Sequence, residues 1–310
     1  MQRKRNIQLL FTLGFLTIAT VLLWFFLNRK EEPVDKTIFK VTDLNQVDKI
    51  VLTKNQQTIE LKFEGARWKV NGQLADRSMI DVLFATLQEA EPKRQVVESM
   101  EDSIGTLLKN NGVRVSLYRT DNLQKEFLAG GNNNKTQAYF KNVDEEESYV
   151  MVIPGYRVYT SGIFELEENG WKDKYVFNFN GKNFQALKSV FPGNQKNDFE
   201  IGMGKAYFEI KGITSIDTAK LNDYLDAVSF LTVDQFVNKH EERGYDSLVS
   251  AKPVVELEVS EVSGKTYTLA LYDYSSKTSI LGIIQGSQPA YFDKKKVAAI
   301  LKRRDWFIKN

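Results

Sequence analysis

The stretch from Ile7 to Leu27 holds no charged residue and is dense in Leu, Phe, Ile and Val, which constrains this chain more than any other feature. As an α-helix its 21 residues would rise about 31 Å, enough to cross a hydrocarbon core. Arg3, Lys4 and Arg5 precede it, and Arg29 and Lys30 follow, offset by Glu31 and Glu32. Acidic residues count little in the positive-inside rule, so the basic excess predicts a cytoplasmic N-terminus. Trp24 stands near the outer end, where an indole prefers the interface. The run is longer than the apolar core of a signal peptide, and no small-x-small site follows Trp24-Phe25-Phe26-Leu27. These features predict a retained single-pass anchor: a head at residues 1–6, a transmembrane helix at 7–27 and a tether at 28–40. The bulk of the chain is expected outside the cytoplasm, as in a bacterial inner-membrane protein with a periplasmic domain.

Charge narrows what that bulk can do. The chain has 42 basic and 40 acidic side chains. Removing Arg3, Lys4 and Arg5 leaves 39 against 40, with no basic footprint of the kind nucleic acid requires. The absence of Cys removes disulfides, thiolate nucleophiles and Cys-ligated zinc together.

Beyond the tether one pattern occurs twice. Strand signals at Ile50-Val51-Leu52 and at Ile59, Leu61 and Phe63 lead to Trp68-Lys69-Val70 and the hairpin dipeptide Asn71-Gly72. Asp76 then stands as a helix N-cap before Ile80, Leu83, Phe84 and Leu87, and Pro92 is expected to end that helix. Later, Phe208 and Ile210 precede Asp217, which caps a helix carrying Leu221, Tyr224, Leu225 and Val228. The two caps lie 141 positions apart, as do Val113 and Val254 at the start of the following strands. Such agreement predicts a duplication. Val113–Tyr118 is expected to pair with Glu126-Phe127-Leu128, and Val255–Val259 to turn at Ser263-Gly264 and return through Tyr267, Leu269 and Leu271. Each copy ends in a further strand and an aromatic segment, 171–177 and 304–307. The expected fold class is α+β, with two repeated modules (41–177 and 178–310), each an antiparallel sheet with helices on one face.

The short basic head, the membrane helix and the tandem strand–strand–Trp–helix units resemble the bacterial family catalogued as domain of unknown function 4340. The resemblance rests on Ile50-Val51-Leu52, Trp68-Lys69-Val70, the Asp76 and Asp217 helices and the aromatic closing segments. It implies an auxiliary role beside ABC-type transporters related to gliding motility, and it brings no catalytic set with it.

No catalytic, cofactor-binding or metal-binding residues are expected, and the chain does not read as an enzyme. His240 is the one histidine, within a polar run. A general base needs a positioned partner, and a metal needs more ligands. Gly202-Met203-Gly204-Lys205 lacks the spacing of a phosphate loop and reads as a turn. Asp144–Glu147 and the trio Glu165, Glu167 and Glu168 lack a calcium-loop frame and read as solvated turns. Gly130-Gly131-Asn132-Asn133-Asn134 reads as a flexible hairpin tip. Asp293 opens a last helix that buries Val297, Ile300 and Leu301 among Lys294, Lys295, Lys296, Lys302, Arg303 and Arg304, a solvated basic face. The reading that follows is a membrane-tethered accessory or scaffold subunit of an ABC-type transporter or related envelope complex, acting by protein–protein contact. Its alternative is a shuttle component that binds a lipid or glycan.

Overall fold

A computed structural model of the protein describes residues 2–27, 34–204, 207–237, 245–272 and 278–309, with side chains from residue 10 to 24 in the first stretch and not at 245, 247 and 248. The chain begins with α1 (Gln2–Leu27) and then divides into two compact units, 1–171 and 172–310. Among the described residues no helix is long and apolar enough to cross a membrane. The side chains of α1 described, 10–24, cover about 22 Å of helix, which is shorter than a bilayer core. Along that stretch Leu10, Phe11, Leu13, Phe15, Leu16, Ile18, Val21, Leu22, Leu23 and Trp24 are each more than half exposed.

The first unit opens with β1 (Lys49–Lys54), β2 (Gln57–Glu64), β3 (Arg67–Val70) and β4 (Gln73–Leu74), joined by tight turns. Asn71 and Gly72 carry φ of 46° and 82°. These left-handed values match the twist of paired strands and suit Asn-Gly. α2 (Arg77–Glu89) follows, and the Asp76 carboxylate accepts hydrogen bonds from the amides of Ser78 and Met79, which the helix itself leaves unsatisfied. Pro92 lies beyond the helix end, within β5 (Glu91–Gln95), an edge strand that pairs only with its neighbour on one side. An edge is where a residue without an amide hydrogen is tolerated. Then come α3 (Glu98–Asn111), β6 (Val113–Arg119), β7 (Asn122–Gly131), β8 (Ala138–Asn142), β9 (Ser148–Val152) and the short α4 (Glu168–Trp171). All pairings are antiparallel, in the order β4-β3-β2-β1-β6-β7-β8-β9-β5.

The second unit runs β10 (Phe184–Val190), β11 (Phe199–Met203), β12 (Phe208–Ile210), α5 (Thr218–Ser229), β13 (Gln235–Phe236), α6 (Tyr245–Ser250), β14 (Val255–Glu261), β15 (Thr266–Tyr272), β16 (Ser279–Ile284), β17 (Gln288–Asp293) and α7 (Lys294–Ile300). Its sheet order is β12-β11-β10-β14-β15-β16-β17-β13. Apart from β4 the two orders coincide strand for strand. The fold is α+β, with two antiparallel sheets.

Three features depart from the sequence reading. The helices of the first unit do not share one face. α2 packs Ile80, Leu83 and Leu87 on the side of Phe127, Ala129 and Phe140, while α3 packs Ile104 and Leu108 on the other side, against Leu128, Tyr139 and Val150. Successive strand residues point to opposite faces, so the unbroken buried run 127–130 needs cover on both. Next, β14 begins at Val255, and Val254 is 44% exposed. The strand landmark is therefore one position later than the caps suggest, and in a strand one position exchanges the faces. Finally, Trp171 is fully buried in the first core, whereas Val176 and Phe177 lie in the second.

Trp68 is half-buried, with its ring 5.3 Å from Phe84 and 5.8 Å from Phe63. Trp171 is the larger packing element, and Asp76 donates its amide to the Trp171 carbonyl at 2.7 Å. Trp171→Ala should therefore destabilise the first unit by about 3–5 kcal/mol, and Trp68→Ala by roughly half as much, read by chemical denaturation. Equal effects at the two positions would contradict this packing.

Candidate functional site

In the first unit a cleft of about 180 Å³ opens between the C-terminal half of α3 and the β7–β8 hairpin. Lys54, Asn111, Gly131, Lys135, Tyr159 and Glu165 line it. A 3₁₀ turn at Thr160–Ile163 holds Tyr159 and Glu165 on either side of itself. The Tyr159 hydroxyl donates to Glu165 Oε1 at 2.5 Å, and Lys135 Nζ lies 3.1 Å from Glu165 Oε2. Ser161 Oγ donates to the Gly130 carbonyl at 2.6 Å and ties the turn to β7.

The glycines of this segment are strand residues, not part of a flexible tip. A Cβ on Gly130 would come within 2.9 Å of Leu108 Cδ2, and one on Gly131 would meet the Tyr159 ring and the Gln137 carbonyl. Close approach of helix and turn is what excludes a side chain here. The tip starts at Asn132, whose Oδ1 accepts from the amides of Thr136 (2.8 Å) and Gln137 (3.1 Å) while its Nδ2 donates to Thr136 Oγ1.

Burial, then the hydrogen bond to Glu165, pushes the Tyr159 phenol above its ordinary range. The ring stays protonated as a donor, and the carboxylate it serves is already held by Lys135. Lys54, Asn111 and Asn133 have no side-chain partner among the described residues and could bond a small polar molecule at the rim.

The acidic trio thus disperses: Glu165 enters the cleft wall, Glu168 accepts from Asn71 Nδ2 at 2.8 Å, and Glu167 is exposed. Asp144–Glu147 forms an exposed turn, and the Glu146 carbonyl accepts from the buried Lys141 ammonium. Gly202, Met203 and Gly204 belong to the β11–β12 hairpin, where Gly204 donates to the Tyr207 carbonyl; Lys205 and His240 lie outside the described residues. Asp293 caps α7 through the amides of Lys295 and Lys296, and Val297 and Ile300 are buried. The basic face around it is partly engaged. Lys296 pairs with Asp234, Lys302 Nζ stands 5.2 Å over the Trp306 ring, and Arg304 donates to the carbonyls of Lys211 and Gly212. Among the described residues no three His, Asp or Glu side chains gather as metal ligands.

The chain matches the family model described as Domain of unknown function (DUF4340) over residues 69–247, more than half its length. It belongs to that family. No curated protein and no solved structure matches it. The match to DUF4340 runs from β3 of the first unit into α6 of the second, so it takes in the cleft apart from Lys54, and the helices capped by Asp76 and Asp217.

Sequence reasoning missed the DUF4340 cleft because its residues are scattered from 54 to 165 with no local spacing to mark them. It also missed Lys141 and Glu101. Both Glu101 carboxylate oxygens are shielded without a hydrogen-bond partner among the described residues, one helical turn before Gly105, where a Cβ would sit 4.0 Å from Lys141 Nζ.

The raised Tyr159 phenol makes a pH prediction. The folded chain keeps its proton above pH about 10, where an unfolded tyrosine loses it. The stability this provides is complete below pH about 10 and is lost as pH rises toward the folded value. Tyr159→Phe should reduce the alkaline loss of first-unit stability, measured as melting temperature from pH 8 to 11; an unchanged slope would show that the ring titrates freely.

Proposed function

We propose that this DUF4340 protein is a membrane-tethered accessory or scaffold subunit of an ABC-type transporter or related envelope complex, working by protein–protein contact. The carrying observation is α1. Its exposed apolar residues occupy consecutive positions at 10 and 11, 15 and 16, and 21 to 24, so they cover every side of the helix. A helix apolar all round has its natural medium in a bilayer or a protein interior. With Arg3, Lys4 and Arg5 in its first turn, α1 anchors the chain with its N-terminus in the cytoplasm and both units outside. The transporter association follows from the family resemblance.

The surfaces of the two units favour contact over turnover. Several polar groups are engaged with one another: Glu165 with Tyr159 and Lys135, Lys296 with Asp234, Arg114 with Glu126. Three hollows lined by described residues, about 180, 280 and 420 Å³, are open to solvent, which favours contact over the enclosure of a lipid.

Anchoring gives two membrane partners a high effective concentration, which is lost when the tether is cut. A chain cleaved within the tether should keep the melting temperature of the intact protein yet fail to complement a deletion strain, while His240→Ala complements fully. A reporter active only outside the cytoplasm, fused after Asn310, should be active. A released chain that complements and is inactivated by one polar substitution would overturn the accessory reading in favour of an enzyme or soluble carrier.

A further inference from the structure

α3 carries two stripes. Ile104, Gly105 and Leu108 form the one that rests on the sheet. Ser103, Thr106, Leu107, Asn110 and Asn111 recur at three- and four-residue steps and so share a second face. That face carries no charge, because Glu98, Glu101, Asp102 and Lys109 all fall outside it. Asn132 and Asn133 of the β7–β8 tip complete the lining of a hollow of about 420 Å³ beside the helix. Leu107, Asn111, Asn132 and Asn133 also line the cleft of about 180 Å³, so the two hollows are continuous. Residues 34–204 are described without a break, and with them both walls of this groove and the connections that join them.

The tip wall is fixed. Asn132 spends its side chain on the amides of Thr136 and Gln137 and on Thr136 Oγ1. The remaining polar groups are not spent. Ser103, Thr106, Asn110, Asn111 and Asn133 are exposed and have no side-chain hydrogen bond to any described residue. Each carboxamide among them offers two donors and an acceptor, and each hydroxyl offers both kinds.

We propose that this groove binds a short neutral oligosaccharide. A sugar ring presents hydroxyls that donate and accept at once, which uncharged amides and hydroxyls match without burying a charge. The apolar contact for the C–H faces of the ring comes from Leu107 and the Tyr159 ring. From Ser103 to Asn111 the helix rises about 12 Å, so the wall extends beyond a single ring. A polyanion suits the groove poorly: Lys135 is paired with Glu165 at 3.1 Å, which leaves Lys54 as the one lining cation without a carboxylate. An apolar ligand suits it no better, since it would strip water from the helix amides and hydroxyls and return no hydrogen bond. The inference goes beyond the contact reading and depends neither on it nor on α1.

The test titrates tri-N-acetylchitotriose, cellotriose and maltotriose into the full chain, held in a detergent without a sugar headgroup. Saturation-transfer NMR and calorimetry should show saturable binding of at least one of them. Asn111→Ala together with Asn133→Ala should weaken that sugar by tenfold or more, and Thr106→Arg, which fills the groove, should abolish its binding. All three positions are exposed, so these variants should keep the melting temperature of the parent chain. Glu256→Ala, in the second unit, should leave binding unchanged. No saturable binding of any of the three sugars would overturn the proposal, as would binding that survives Thr106→Arg or falls equally in Glu256→Ala. Competition by inorganic phosphate would overturn the neutral ligand, because the groove would then be holding an anion through Lys54. Complementation by the tether-cut chain decides the accessory reading separately from sugar binding.

Discussion

Each unit depends on one long-range strand pairing, β1 with β6 in the first and β10 with β14 in the second. Ile50 faces Leu117 and Leu52 faces Val115; in the second unit Leu187 faces Val259. These residues are almost wholly buried. The pairing closes a loop of more than fifty residues that contains the capped helix, so its entropy cost is met only when the hydrophobic face forms with it. Once it forms, the N-terminal strands and the later meander become one sheet. α2 and α5 then have a continuous apolar surface to lie on. Before that, an amphipathic helix of twelve or thirteen residues is marginal by itself.

A sheet built this way has a second face, and the units treat it differently. The first buries Leu128, Tyr139 and Val150 under α3, and with them the Lys141 ammonium and the Glu101 carboxylate. Placing charges in a dry interface costs stability unless they are bonded, and Lys141 meets this with the Glu146 carbonyl. The second unit carries exposed Glu256 and Glu258 on the equivalent strand, and only part of its outer face is apolar. The same topology therefore carries an apolar outer layer in one case and a partly charged one in the other.

Much of the frame was legible where a single residue type has a single physical use. Asp76, Asp217 and Asp293 all cap helices, because a short carboxylate reaches the free amides of a first turn. Asn71-Gly72 makes its turn, and the alternation of β14 and β15 puts Val255, Leu257, Leu269 and Leu271 in the core. α3 was not legible. Val97 offers no side-chain cap, and the helix buries Ile104, Gly105 and Leu108 alone, too thin a stripe to stand out. Missing α3 hid the second layer, and with it the cleft at its C-terminal end. Gly130-Gly131 looked like a tip because glycine serves both loose turns and tight approaches; only the position of Leu108 and Tyr159 separates the two.

The same distinction bears on function. A catalytic group is recognisable because its neighbours leave it one unmet bond aimed at a reacting atom. In the cleft, Tyr159, Glu165 and Lys135 meet one another's bonds, and the turn they stabilise braces Gly130 and Gly131 against α3. That arrangement stiffens a surface. In the second unit Glu256 and Glu258 are set two residues apart on the exposed face of a strand, with Lys188 beside Glu258.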